Sequence, residues 1–136
     1  MQDKRRRNDF ASTEVGEVKG GRVTQQAFEV ADKKQPPAPG GTVFIGSSSI
    51  RGWKTLKQDF PKHTVINRGF GGSEIVDSIH FVDRIVHPYK PKHVVLYAGD
   101  NDMSRGKSPE TVLADFKKFV SGVHDKLPDA RVSFIT

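Results

Sequence analysis

The chain has 136 residues, close to the usual size of one domain, which excludes a large multidomain enzyme. It contains no Cys, so disulfide frameworks, cysteine nucleophiles and thiolate zinc sites are also excluded. The formal net charge of +6 is spread along the chain, and the only basic block, Lys4 to Arg7, has no aromatic residues within it. A solvated arm and no nucleic-acid partner are therefore favoured.

Composition divides the chain near Gly40. Residues 1–39 are predicted to form a flexible basic tail, a short helix over Thr24–Asp32 and a stiff Pro-rich linker. Residues 40–136 are predicted to form the folded domain. No apolar run approaches the roughly 18 residues of a membrane helix, and no apolar stretch follows the basic start as in an export signal. A cytoplasmic location is expected for the chain as written, while export of a longer parent protein stays open.

After Gly41, short β-branched runs alternate with longer amphipathic runs. The first short run, Thr42–Ile45, is continuously apolar, as in a strand covered on both faces, and the long runs have helical spacing. Ser73 and Ser108 are candidate helix caps, and Pro109 suits a first helical turn. The alternation predicts an α/β fold with a parallel sheet between two helical layers. The predicted strands are Thr42–Ile45, Thr64–Ile66, His93–Tyr97 and Arg131–Ile135, and the predicted helices are Ile50–Phe60, Ser73–Val86 and Pro109–Leu127.

Three loops follow the first three strands, where ligands bind in sheets of this kind. Loop 1, Gly46–Trp53, has three serines that could expose a nucleophilic hydroxyl or simply cap the next helix. The Gly-x-Ser-x-Gly nucleophile elbow is absent because Ile50 occupies its last position. Loop 2, Asn67–Ser73, is rich in glycine, which suits backbone N–H groups facing a substrate oxygen, a phosphate cradle or a plain tight turn.

Loop 3, Gly99–Met103, contains one asparagine between two aspartates. The asparagine amide can donate to a developing oxyanion, and the same residues are common in ordinary turns. Two carboxylates alone provide fewer oxygen ligands than Mg²⁺ needs. Each loop is ambiguous by itself, but together they place a hydroxyl and several donors at the ends of successive strands.

The three loops carry a family resemblance. The blocks Phe44–Arg51, Val65–Ser73 and Leu96–Asp102 resemble the first three of the four signature blocks of the SGNH, or GDSL-type, hydrolases, and the likeness covers about Phe28 to Thr136. It implies a three-layer α/β/α flavodoxin-like fold without a cofactor. It also implies esterase, lipase, thioesterase or acetylesterase activity on small-molecule or carbohydrate esters.

The resemblance assigns roles to three residues. Ser48 would be the nucleophile, and its N–H, the N–H of Gly72 and the side chain of Asn101 would form the oxyanion hole. Ser47 stands where the Gly-Asp-Ser motif has Asp, and sequences with serine there resemble a branch of the family.

The fourth family block, Asp-x-x-His, is absent from these residues, although a serine needs a base to take its proton. The five histidines are expected at the amino edge of the sheet or midway along a helix, away from Ser48. Because the apolar strand is cut at Thr136, we expect an N-terminal part of a longer hydrolase, ending before its last strand and helix. Little activity is expected without the base. The histidines are His63, His80, His87, His93 and His124.

A noncatalytic module that binds sugar or phosphate in the same pocket is the alternative. Arg51 and Arg68 would be its anion contacts, or they could be exposed or packed against neighbours. A flavin-binding protein would share the fold, but only fold analogy supports it. Acyl and alcohol specificity and the oligomeric state do not follow from the sequence.

Overall fold

A computed structural model describes residues 25–71 and 73–135, which form four strands and a series of mostly short helices. The strands are β1 (Thr42–Gly46), β2 (Val65–Asn67), β3 (His93–Tyr97) and β4 (Arg131–Phe134). The helices are α1 (25–34), α2 (Ser48–Arg51), α3 (Leu56–Asp59), α4 (Ile75–His80), α5 (Val82–Ile85), α6 (Asp100–Ser104) and α7 (Pro109–His124), with a 3₁₀ turn at His87–Tyr89.

The strands form one parallel sheet in the order β2-β1-β3-β4. After β1 the chain moves outward to β2, then returns to the other side of β1 to form β3. This reversal makes the carboxyl ends of β1 and β3 the topological switch point, where ligands bind in open α/β sheets. Gly46 and Tyr97 face each other across it.

Alternate strand residues enter two separate cores, one on each face of the sheet. Val43 and Ile45 join the larger core, with apolar residues of α4, α5 and α7. Phe44 joins the smaller core, with Ile50 of α2 and Leu56 of α3. Because both faces of β1 are covered, its sequence is continuously apolar. The predicted three-layer α/β/α arrangement is confirmed.

Two predicted helices are interrupted. The predicted helix Ile50–Phe60 is replaced by two short helices, α2, which ends at its C-cap Gly52, and α3, which begins after Thr55. The predicted helix Ser73–Val86 is divided at Phe81, whose buried ring packs against Phe70. Helical spacing of apolar residues identified the buried faces but not these breaks.

The two predicted caps differ in outcome. Ser108 caps α7, since its Oγ accepts the Thr111 N–H at 3.1 Å. Ser73 is not a cap: Glu74 precedes α4 in a capping box with Asp77, and the Ser73 hydroxyl donates to the Gly46 carbonyl instead. Loop 3 also contains a helix, α6, which its short and polar sequence did not predict.

Helix α1 is attached to the domain by ion pairs. Asp32 pairs with Arg68 at 2.5 Å, and Glu29 makes a two-pronged pair with Arg84 at 2.8 and 2.9 Å. The predicted basic tail lies outside the described residues. Among the helices of residues 25–71 and 73–135, none has the length and apolar character needed to span a bilayer.

Replacing Gly46 by Ala should destabilise the domain because a Cβ at this position would lie 2.0 Å from the Tyr97 carbonyl oxygen. Such overpacking against backbone should cost about 3 kcal/mol in the free energy of unfolding, measured with urea. Gly122→Ala is the matched control, since its nearest atom would be an ordinary 3.7 Å away within α7. Equal stability of the two variants would contradict the close approach of β1 and β3.

Candidate active site

The three loops meet at the carboxyl edge of the sheet. The Gly46 carbonyl in loop 1 accepts the Phe70 N–H at 2.9 Å and the Ser73 hydroxyl at 3.3 Å, both from loop 2. The Ser73 carbonyl in turn accepts a hydrogen bond from Asn101 Nδ2 in loop 3 at 2.9 Å. Their predicted convergence is confirmed.

Ser48 is the first residue of α2 and is exposed, whereas Ser47 before it is buried. The helix is held to the sheet by Ile50, which is 2% exposed and belongs to the smaller core. Within residues 25–71 and 73–135, the Ser48 hydroxyl has no hydrogen-bond partner. Its oxygen is therefore open to an incoming electrophile.

Loop 2 is pressed against α2 by Asn67 and Gly69. The Asn67 amide donates to the Ile50 carbonyl at 2.6 Å, and its oxygen accepts the Gly69 N–H at 2.9 Å. A Cβ on Gly69 would lie 2.4 Å from the Arg51 backbone nitrogen. Only glycine permits this approach, which brings the loop 2 backbone beside the helix that carries Ser48.

Arg68 attaches loop 2 to α1 and to the 3₁₀ turn. Its guanidinium lies over the rings of Phe28 and Tyr89, with centroid distances of 4.6 and 5.0 Å. It also pairs with Asp32, donates to the Tyr89 hydroxyl and donates to the Asn67 carbonyl. Arg68 is 9% exposed, so its charge is engaged within the protein. The alternative role of Arg68, contact with a bound anion, is not supported. Its guanidinium N–H groups already donate to partners within the protein.

Asn101 is half-buried on α6, whose start at Gly99 has a φ of 120° that glycine adopts without strain. One N–H of its amide is used by Ser73, and an amide nitrogen carries two. The second N–H remains for another acceptor. Gly72, the remaining predicted oxyanion donor, lies outside the described residues.

Asp102 is a site residue that the sequence analysis missed. It is completely buried, and its Oδ2 accepts the Ile75 N–H at 3.1 Å, which joins α6 to the start of α4. Its Oδ1 has no hydrogen-bond partner in the described part of the chain. Burial raises the pKa of Asp102, and repulsion from Glu74 adds to this effect. The only sign in the sequence that Asp102 supports the site is its position directly after Asn101.

A cluster of charges surrounds Asp102. Lys107 lies 3.0 Å from Glu74, 3.2 Å from Asp115 and 3.9 Å from Asp102. Burial opposes ionisation of Glu74, but hydrogen bonds from Lys107 and Arg105 outweigh it and lower the pKa of Glu74. These contacts hold α4, α6 and α7 together behind loops 2 and 3. No group of three or more metal-ligating side chains suited to an ion occurs in residues 25–71 and 73–135.

Three histidine rings have partners outside the three loops. His87 contacts Asp83 and the Gly122 carbonyl, at 2.6 and 3.0 Å. His93 contacts the Ser133 hydroxyl at 2.7 Å, and His124 contacts the Ala130 carbonyl at 2.9 Å. Burial lowers the pKa of His93, and the nearby charge of Arg131 does so as well. All three have packing roles.

Comparison with known families agrees with this geometry. The profile of the GDSL-like Lipase/Acylhydrolase family matches residues 39–136, which include all three loops. The chain belongs to this family. The profile match begins after α1. The predicted SGNH, or GDSL-type, family and fold are thus confirmed, and activity on esters is the general chemistry of such hydrolases. A search among curated proteins returns no match.

Solved structures share the fold. A candidate platelet activating factor from Streptococcus pneumonia aligns with a TM-score of 0.75 and 17% identity, over 90% of this chain and 56% of that chain. A GDSL-like lipase from Bacteroides thetaiotaomicron aligns with a TM-score of 0.67 and 17% identity, over 81% and 56%. A candidate acylhydrolase from Bacteroides fragilis aligns with a TM-score of 0.61 and 26% identity, over 86% and 56%. The aligned part of this GDSL-like chain therefore spans little more than half of each of these proteins.

Replacing Asp102 by Asn should alter how stability depends on pH. A raised pKa means that native-state stability is lost as pH rises from the unfolded-state pKa through the folded-state pKa. Asparagine does not titrate, so the stability of Asp102→Asn relative to the unchanged protein should increase from about pH 4 upward. Urea unfolding across this range measures the difference.

Ser104→Ala is the control, because Ser104 is an exposed, non-titrating residue of the same helix. Its effect should be the same at every pH. A pH-independent difference for Asp102→Asn as well would show that the Asp102 pKa is not raised.

Proposed function

We propose that this protein is a serine ester hydrolase in which Ser48 is the nucleophile. Its Oγ attacks the ester carbonyl carbon while a base takes the hydroxyl proton, and the proton then goes to the departing alcohol. Water attacks the resulting acyl-enzyme, which releases the acid and restores Ser48. The exposed Ser48 hydroxyl, next to loops held together by hydrogen bonds, is the observation that carries the proposal.

The oxyanion would be held by the N–H groups of Ser48 and Gly72 and by Nδ2 of Asn101. Asn101 supports this role because its amide is already oriented by the Ser73 carbonyl. A donor held in place before the reaction stabilises developing charge without having to reorganise. Asp102 and Ile75 keep α6 and α4 in register, which preserves that orientation.

The base in this proposal is a histidine outside the 136 residues. His87, His93 and His124 are engaged in packing contacts, as their partners show. His80 packs against the Phe81 ring, and His63 lies next to β2 at its amino end. A chain limited to these residues should therefore hydrolyse esters slowly, through oxyanion stabilisation alone.

Imidazole should partly restore activity to the 136-residue protein by acting as the base beside Ser48. We expect phenyl acetate hydrolysis to rise with imidazole above the rate of imidazole alone, because the free base accepts the Ser48 proton. With imidazole present as the base, a fluorophosphonate probe should label the same serine covalently. Ser48→Ala should lose both effects, while Ser49→Ala, its exposed neighbour, should keep them.

Retained labelling in Ser48→Ala would remove Ser48 from its role. An absence of labelling together with tight, reversible sugar or phosphate binding would favour a noncatalytic binding module instead.

Replacing Asn101 by Ala should lower kcat by about 10²–10³, because one oxyanion donor is lost. KM should change little, since the interaction forms in the transition state. The measurement is imidazole-supported phenyl acetate hydrolysis, with Lys118→Gln expected to remain within about twofold as an exposed control on α7. A rise in KM with kcat unchanged would mean that Asn101 binds the ester equally in the ground state and the transition state, which would contradict a role as an oxyanion donor.

A further inference from the structure

A groove of about 470 Å³ lies beside loop 2 and begins next to the proposed nucleophile's helix. Phe28 of α1, Trp53 and Leu56 give it apolar walls, and Gly69 of loop 2 also borders it. Ser48 does not line the groove, which lies next to the reacting group and does not enclose it. It is therefore placed to hold a part of the substrate away from the ester bond.

The charged side chains that line the groove are all positive. Arg51, Lys54 and Lys57 line it, and its lining includes no acidic side chain. None of these three cations has an ion-pair partner among the described residues. A concave surface of one charge concentrates field lines and attracts ions of the opposite sign.

Nearby carboxylates are already engaged. Asp59 accepts hydrogen bonds from the Trp53 ring N–H at 2.6 Å and the Thr55 hydroxyl at 2.8 Å, and these bonds lower the pKa of Asp59. On α1, Asp32 pairs with Arg68 and Glu29 pairs with Arg84. Trp53 and Thr55 are neutral, so Asp59 keeps its negative charge, but the three cations of the groove outnumber it and are exposed to solvent.

Arg51 links the groove to the proposed reaction centre. It lies three residues after Ser48 in α2, so the two side chains share a helix face, with Cβ atoms about 5–6 Å apart. Its guanidinium reaches loop 2, where Nη1 would lie 3.2 Å from a Cβ on Gly71. A cation in this position can hold an anionic group close to an ester bound at Ser48.

We propose that this groove selects esters that carry an anionic group, a carboxylate or a phosphate, with Arg51 as the nearest cation and Lys54 and Lys57 beyond it. The inference rests on the proposed ester hydrolase function for its substrate class, while anion binding in the groove can be measured without catalysis. Arg51 would thereby determine specificity, and Arg68, with its partners inside the protein, would not.

Trp53 provides a direct readout, because it is the single tryptophan of the chain and lines the groove. Its fluorescence should report binding of monomethyl succinate and of methyl succinamate, two esters of the same shape that differ by one negative charge. A second pair, 2-acetoxyethyl phosphate and 2-acetoxyethanol, tests a phosphate on the alcohol side. At low salt, the anionic member of at least one pair should bind about fivefold more tightly or better.

Arg51→Gln should remove this difference in affinity, and the double variant Lys54→Gln/Lys57→Gln should reduce it. Lys118→Gln on the exposed face of α7 is the matched control and should leave it unchanged. Raising the salt concentration should weaken the preference, because exposed charges are screened over about 10 Å at 0.1 M.

Equal binding of the charged and neutral members in both pairs would overturn the proposal, as would a preference that survives Arg51→Gln and the double variant. Failure of the hydrolase function is a separate result. In that case Ser48→Ala would hydrolyse esters as fast as the unchanged protein, while Trp53 fluorescence would still show tighter binding of the anionic ester.

Discussion

The close approach of β1 and β3 at Gly46 is the constraint on which the site depends. Because residue 46 has no side chain, the Tyr97 carbonyl can lie where a Cβ would otherwise be. The Gly46 carbonyl is then free to accept hydrogen bonds from both Phe70 and Ser73, which fixes the two ends of the glycine-rich part of loop 2. A backbone group at the switch point of the sheet thus helps to fix loop 2, together with the contacts of Asn67 and Arg68.

Hydrogen bonds made by Ser73 then connect loop 2 to loop 3. The Ser73 hydroxyl donates toward β1 and its carbonyl accepts from Asn101. Asp102 adds a second link by accepting the Ile75 N–H in a fully buried position. Burying a carboxylate is unfavourable, and the bond from the Ile75 N–H offsets part of this cost while it fixes α6 against the start of α4. Such rigid support is what an oxyanion hole requires.

The two arginines near loop 2 show how environment decides the role of one residue type. Arg68 is buried between two aromatic rings and paired with Asp32, so its charge stabilises the domain and anchors α1. Arg51 is exposed beside a groove without acidic residues, so its charge acts outward. The family profile begins at residue 39, yet α1 supplies Phe28 to the groove and Asp32 to Arg68. Through Phe28 and Asp32, α1 therefore contributes to the surroundings of the site, although it precedes the matched residues.

The local sequence determined the kinds of element and their order. The apolar strand Thr42–Gly46, the Ser108 cap and the polar loops after three strands were sufficient to predict a parallel sheet with chemistry at its carboxyl edge. These features are local because hydrophobic period and capping act over a few residues. Only the tertiary structure decided the pairing of Arg68 with Asp32 and the burial of Asp102. Each depends on groups far apart along the chain, and no pattern within a short segment specifies which distant partner will meet them.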